Sequence, residues 1–276
     1  MRRPVPTLPI RPMARLVAWG LAALVVIGPG GAALAQENPL QPSAAWEDIR
    51  PTILPADAPD PPQDAAQLLL DAPPRADNPA LVPVRITQPP GAAAIERLVL
   101  VIDENPAPIA ATFIPGKALM PLDLEVRVRV NAYSDLRAVA WLEDGRIVQA
   151  GRHVKASGGC AAPAGSNAEE AAKVMGQMRL RSGTAADGRA EATLMIRHPM
   201  NSGLQRDQLT LLDIPAMFIQ TLEVRQGDTP LLVMDAGISI SEDPVFRFAL
   251  TPAAGDITVH AEDTDGHVWD ESLAFP

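Results

Sequence analysis

Cys160 is the only cysteine among the 276 residues, and it lies in the run Ser157-Gly158-Gly159-Cys160-Ala161-Ala162-Pro163. A thiol reacts as its thiolate, and at the unperturbed pKa of about 8.5 a minority of it is ionised at neutral pH. The small neighbours leave the sulfur unshielded. Glycines lack β-carbons and adopt dihedrals closed to other residues, so Gly158 and Gly159 are expected to make the loop thin and the thiol a tethered chemical handle. His153 and Lys155 are close in sequence and are candidate cations for favouring the thiolate; the plainer reading makes them solvated residues at a strand end.

Nothing else in the chain has catalytic spacing. There is no Gly-x-Ser-x-Gly elbow, phosphate loop or dinucleotide fingerprint. His153, His198, His260 and His267 lack metal-ligand spacing, and Glu262-Asp263-Thr264-Asp265-Gly266 lacks a twelve-residue calcium loop. These residues describe a covalent handle and not an active site, so the expectation is a protein that is not an enzyme and needs no cofactor or metal.

Arg2, Arg3, Arg11 and Arg15 flank or precede an apolar run, Leu16 to Ile27, that is too short to span a bilayer comfortably, and Ala33-Leu34-Ala35 has A-x-A cleavage spacing. Residues 1–35 therefore read as a secretory signal peptide and the mature chain as soluble and periplasmic. The net charge is −10, and loss of those four arginines leaves the chain more acidic still, which argues against nucleic acid or membrane lipid as partner. A lone cysteine in an oxidising compartment makes no internal disulfide. It is free, modified, or bonded to another molecule, which includes a disulfide dimer through Cys160. A buried inert thiol is the remaining option, and Gly-Gly-Cys-Ala-Ala offers no core to bury it in.

The elements that must position the handle are strands. With 47% apolar residues, 4% aromatics and 29 prolines, the composition predicts real cores built from strands with proline-marked turns. Residues 36–80 are crowded with proline and expected to be irregular, with Trp46, Ile49, Ile53 and Leu54 pinning them to a domain and a short helix over Asp64 to Leu70. From Leu81 apolar residues alternate at Val82, Val84 and Ile86 and at Leu124, Val126, Val128 and Val130. Leu98 to Ile102 is a continuous apolar run, and Leu136 to Leu142 and Ile147 to Val154 flank an Asp144-Gly145 hairpin turn. After the cysteine, Ser166-Asn167-Ala168-Glu169 is a capping box opening a linker helix to about Met178. Strands resume at Glu191 to Arg197, Met217 to Gln226, Leu231 to Met234, Val245 to Leu250, Asp256 to Asp263 and His267 to Leu273, with Asp265-Gly266 as the last hairpin turn. The fold class is all-β: two immunoglobulin-like β-sandwich domains, 81–156 and 186–276, joined by a cysteine-bearing loop and short linker helix over 157–185.

Ala72-Pro73-Pro74-Arg75-Ala76-Asp77-Asn78-Pro79-Ala80-Leu81-Val82-Pro83-Val84, followed by Asp103-Glu104-Asn105-Pro106-Ala107-Pro108 and Phe113, resembles the cysteine-bearing subunit of the SoxYZ thiosulfate-oxidation carrier. Arg197-His198-Pro199-Met200-Asn201-Ser202-Gly203, Ile214-Pro215-Ala216-Met217-Phe218-Ile219-Gln220 and Phe246-Arg247-Phe248 resemble its partner subunit, SoxZ. Y-like then Z-like in one polypeptide resembles the fused carriers associated with quinoprotein dehydrogenases. The resemblance implies that Cys160 takes a sulfur intermediate as a covalent adduct and presents it to periplasmic redox or sulfur-processing enzymes, among them a quinoprotein dehydrogenase or cytochrome. It also implies that the apolar stretch with Ile214, Met217, Phe218 and Ile219 lies at the contact between the two domains; an ordinary core strand is the other reading. The family's arm reads Gly-Gly-Cys-Gly-Gly and ends its chain. Here Ala161-Ala162-Pro163 follow, so the handle is tethered at both ends. The alternative is a non-covalent accessory or assembly module in which Cys160 is dispensable.

Overall fold

The computed structural model describes residues 40–276 apart from 56, 164–167 and 209; the expected signal peptide, and Ser166 and Asn167 of the expected capping box, lie outside the described residues. The first half supplies β1 (Leu69–Asp71), β2 (Val82–Thr87), β3 (Ile95–Ile102), β4 (Ile109–Pro115), β5 (Asp123–Val128), β6 (Ser134–Leu142) and β7 (Ile147–Val154). The second supplies β8 (Met178–Thr184), β9 (Ala190–Ile196), β10 (Ile219–Gln226), β11 (Thr229–Ala236), β12 (Val245–Leu250), β13 (Ile257–Asp263) and β14 (Val268–Leu273). Among the described residues two α-helices, α1 (Ala44–Ile53) and α2 (Ala168–Val174), and a 3-10 turn at Lys117–Leu119 accompany the strands.

The all-β, immunoglobulin-like architecture is as expected, and the way its halves join is more intimate than a linker between two sandwiches. Strand order is β1-β2-β5-β12-β9-β8 in one sheet and β14-β13-β10-β11-β4-β3-β6-β7 in the other. Each sheet therefore crosses from one half to the other by antiparallel pairing, Phe246 opposite Val126 in the first and Met234 opposite Phe113 in the second. Pairing at the seam gives backbone donors and acceptors of two edge strands partners they would otherwise lack. Arg247 on β12 forms ion pairs with Glu125 on β5 and Glu191 on β9, fixing the charge register across the seam. One apolar core runs through both halves, from Val84 and Leu98 through Phe113 and Phe246 to Leu194, Leu222 and Val259.

The strand patterns explain which faces are covered. Val82, Val84 and Ile86 point into the core between more exposed neighbours, the signature of a sheet with one dry face. The unbroken run at the end of β3 is buried on both faces: Leu98, Leu100 and Ile102 enter the main core, whereas Val99 and Val101 join Val139 under Trp46, Ile53 and Leu54 of the N-terminal segment. This pinning takes the form of a helix. In α1 the Ser43 side chain accepts a hydrogen bond from the Trp46 backbone N–H, and Pro51 is tolerated inside it.

The helix expected over Asp64 to Leu70 is a correction. Only one turn forms, with the Gln67 and Leu68 N–H groups donating to the Asp64 carbonyl, and the chain then enters β1. Leu68 and Leu70 are buried and Leu69 exposed, a period of two that pairing with β2 rewards and a helix would not. Strands β4 and β8 were not expected. The Asp-Gly hairpin turns stand where the sequence places them, between β6 and β7 and between β13 and β14.

Candidate functional site

The chain leaves β7 at Val154 and meets the seam. There Ser157 and Gly158 are exposed, Gly159 and Cys160 are buried, and Ala161 is exposed again, so a surface segment dips inward at the thiol. Backbone donors dock the arm: Gly158 N–H to the Asn131 carbonyl at 2.8 Å and Gly159 N–H to the Val130 carbonyl at 3.0 Å. The glycines serve this docking. Gly158 has φ +82 and open space around it, a left-handed conformation that favours glycine. A β-carbon on Gly159 would stand 2.2 Å from the Pro79 carbonyl oxygen and 2.6 Å from that of Val130, so backbone alone fits there.

A second-half loop forms the roof. Ser202 Oγ donates to the Cys160 carbonyl, and Gln205 Nε2 donates to the Ala162 carbonyl at 3.1 Å. The Ser202 backbone N–H in turn donates to Gln205 Oε1 at 2.9 Å, which ties the Gln205 side chain to the backbone of the same loop. Met200, in the left-handed region at φ 47, is fully buried. Its N–H donates to Nδ1 of His198 at 3.0 Å, so that nitrogen carries no proton, and the ring's Nε2–H faces Asp263 Oδ2 at 3.3 Å. Burial lowers the His198 pKa, opposed by Asp263, so a neutral imidazole pins this turn. The ring meets Trp269 edge-on at 5.7 Å. His198 is thus a structural anchor, consistent with the absence of ligand spacing around it. Among the described residues no group of three or more His, Cys, Asp or Glu side chains is placed to hold a metal ion.

The cation beside Cys160 is Arg129, and the sequence concealed it. Read as alternation, Arg129 belongs to the solvent face of β5, but the strand ends at Val128 and the chain turns inward, leaving Arg129 1% exposed. Its backbone is clamped by two halves: its N–H donates to the Ser239 carbonyl at 2.7 Å, and its carbonyl accepts from Asn105 Nδ2 at 2.8 Å. The guanidinium sends Nη1 to the Gly159 carbonyl at 3.4 Å and Nη2 to the Met200 carbonyl at 3.2 Å, while the buried Nε has no partner. Burial pushes the Cys160 thiol up from its usual value, and the Arg129 charge opposes this without reversing it.

His153 and Lys155 have other employment. His153 Nδ1 lies 2.8 Å from Asp135 Oδ1 in a buried ion cluster, and Lys155 is exposed, its backbone bridged to Arg75. The stretch expected at the domain contact makes its backbone hydrogen bonds within its own half, while Ile219 and Phe218 join the apolar core that both halves share. Ile214 N–H donates to the Gln205 carbonyl, Met217 exchanges backbone hydrogen bonds with Asn201, Phe218 pairs with Thr264, and buried Ile219 directs its N–H at Met200 Sδ. Backbone pairing joins the halves at β4 with β11 and at β5 with β12, and residues 214–219 brace the loop that roofs Cys160. The handle also lies docked where a projecting arm was expected. The expectation weighed only the neighbouring residues, whereas Pro79, Arg129, Val130 and Ser202 come from elsewhere in the chain. A disulfide to a second molecule requires the thiol to leave this dock.

No curated protein matches the chain. Family models do: residues 56–160 match the sulfur oxidation protein SoxY, ending on Cys160, and residues 178–274 match the sulphur oxidation protein SoxZ. Together they span the shared sandwich on both sides of the seam, and the chain belongs to these families as a fused SoxYZ-like protein, SoxY first and SoxZ second.

Proposed function

We propose that this sulfur-oxidation carrier-type protein works through Cys160, holding a sulfur intermediate as a covalent adduct in the periplasm and presenting it to partner enzymes. The observation that carries the reading is the position of the thiol: the one cysteine of the chain stands at the last residue of the SoxY match, on a glycine pair, at the seam between halves. The buried state is then the resting state of the handle, in which the thiol is kept from adventitious oxidants, and presentation requires Gly158 to Pro163 to swing out. Gly158, with nothing within 4 Å of a β-carbon, is the natural pivot. The partners are redox or sulfur-processing enzymes, and the fused Y-then-Z order suggests a quinoprotein dehydrogenase or cytochrome system among them.

Because both ends of the handle are anchored, it enters a partner as a two-stranded loop, so the receiving cleft is wider or shallower than one built for a chain terminus. The test is intact mass of protein purified without reductant, alongside Cys160→Ser. A discrete adduct on Cys160, and loss of function with fold and partner binding intact in the variant, are the expected results; full function in Cys160→Ser overturns the reading. One observation favours the alternative of a non-covalent accessory module. Cys160 has no exposed surface and burial disfavours its thiolate, as for an inert core cysteine.

A further inference from the structure

The five N–H groups of Arg129 are poorly served where they lie. Its side chain is buried, its two hydrogen bonds are long and reach neutral carbonyls, and its Nε has no partner. A buried guanidinium without an anion bears a desolvation cost that carbonyl dipoles offset only in part. The negative groups within electrostatic reach are Glu242, partly exposed, and Cys160 itself. With no adduct the thiol stays protonated at neutral pH, since burial outweighs the nearby charge. The unloaded dock therefore holds a fixed cation whose counter-charge is incomplete.

We propose that Arg129 is the anion receptor of the dock: its guanidinium holds a negatively charged, oxygen-bearing sulfur group carried on Cys160 while the handle is in its resting position. This rests on the carrier reading above and adds to it the residue that recognises the charged end of the adduct. The planar fork suits paired oxygens, and charge-assisted hydrogen bonds are the strong ones in a dry site. Fixed donors already surround the thiol's chain: Arg129 reaches Gly159 on one side, and Ser202 and Gln205 reach Cys160 and Ala162 on the other. The roof over the group is residues 200–205, held to the handle by those two side-chain hydrogen bonds, so a shift of that segment makes room. Arg129 acts as a positioning residue that retains the loaded handle in its dock.

The test compares a charged and a neutral adduct. Tetrathionate is attacked by the Cys160 thiolate at an inner sulfur: the new S–S bond forms as the central one breaks, thiosulfate leaves with the electron pair, and the cysteine carries –S–SO3−. Methyl methanethiosulfonate gives the neutral –S–CH3 adduct by the same displacement, with methanesulfinate leaving. Release of each adduct by dithiothreitol is then timed in the native protein and in Arg129→Gln. The charged adduct is expected to leave the native protein at least about tenfold more slowly than it leaves the variant, with the neutral adduct changing by less than about twofold. Equal ratios for the two adducts overturn the inference while leaving the carrier reading intact; failure of Cys160 to gain mass from tetrathionate defeats the carrier reading itself. If Arg129→Gln does not fold, melting of the native protein decides: the charged adduct must melt higher than the neutral one, and the reverse order or a tie overturns the inference. Free thiosulfate added to Cys160→Ser separates the sources of the anion. No rise in melting temperature supports a group carried on Cys160, and a rise equal to that of the loaded protein assigns Arg129 to free anions and overturns the proposal.

Discussion

Arg129 and Arg137 are both all but inaccessible to solvent, at 1% and 3% exposed, yet their surroundings are opposite. Arg137 sends Nε to both oxygens of Asp103 at 3.0 Å, Nη2 to Asp135 at 3.2 Å and Nη1 to Gln149 at 3.4 Å, and lies 4.7 Å from the Trp46 ring centre. His153 and the Gln41 backbone N–H complete the coordination of Asp135, and Gln149 passes the network on to Asp60 and the Pro61 carbonyl. This cluster ties the N-terminal segment to β6 and β7, and it is saturated. Even so, burial raises the Asp103 pKa, with Arg137 opposing, so the pair offsets desolvation incompletely, as buried ion pairs do. Arg129 has two long bonds to neutral carbonyls and an idle Nε. A saturated cation is a fastener, whereas an unsaturated one is a receptor.

The comparison is open to direct attack. Arg137→Met strands Asp103 and Asp135 in the interior without their cation, so a loss of about 3–5 kcal/mol is expected. In thermal unfolding that is a fall on the order of 10 °C for a chain this long. The deficit should shrink as pH falls and the stranded carboxylates protonate; a fall of a degree or two would show that the cluster is not the fastener described here.

The second contrast uses pH. The folded pKa of Cys160 lies above its usual value, so the folded state keeps its proton where the unfolded chain gives it up. Stability tied to the docked thiol is therefore fully present below the unfolded pKa of about 8.5 and is lost as pH rises through the folded pKa. Alkylation of native protein should go on increasing with pH beyond the point where a cysteine peptide has levelled off. In Arg129→Met the thiol should titrate higher still, because the opposing charge is gone; an unchanged profile would separate Arg129 from the thiol.

Ser202→Ala removes one hydrogen bond between roof and handle, a contribution of about 1 kcal/mol. Native-state alkylation of Cys160 is expected to accelerate roughly fivefold with the melting temperature little changed. No acceleration would mean that the roof does not hold the handle in. The smallest effect is expected of Arg129→Met in the unloaded protein, within about 1 kcal/mol of wild type in either direction, since no buried carboxylate hydrogen-bonds to it and none is stranded. A loss as large as that of Arg137→Met would erase the distinction between the two arginines.

Much of the fold is local and was readable as such. Alternation in β2, β5 and β12 and Asp-Gly at two hairpin turns all act over a few residues. The errors lie where another part of the chain decides. Pro51 and its proline-rich surroundings argued against a helix at Ala44–Ile53, but the apolar patch of Val99, Val101 and Val139 needs a cover and α1 supplies Trp46 and Ile53. Leucine and alanine around 64–70 favour helix by propensity, and the open edge of β2 took the strand instead. Arg129 looked like one more outward charge in an alternating strand, because nothing local marks where that strand ends.

From its residues alone the chain determined that it is a β-sandwich protein of Y-like then Z-like order with one thiol on a glycine pair, since side-chain period, turn chemistry and short motifs are properties of neighbouring residues. The tertiary structure decided that the two halves share both sheets, that Gly159 is required by the backbone at Pro79 and Val130, and that Cys160 rests beside an unsatisfied arginine under a loop from the other half. Those outcomes depend on which distant edges pair and which polar groups are thereby shut away from water, and no spacing along the chain encodes that.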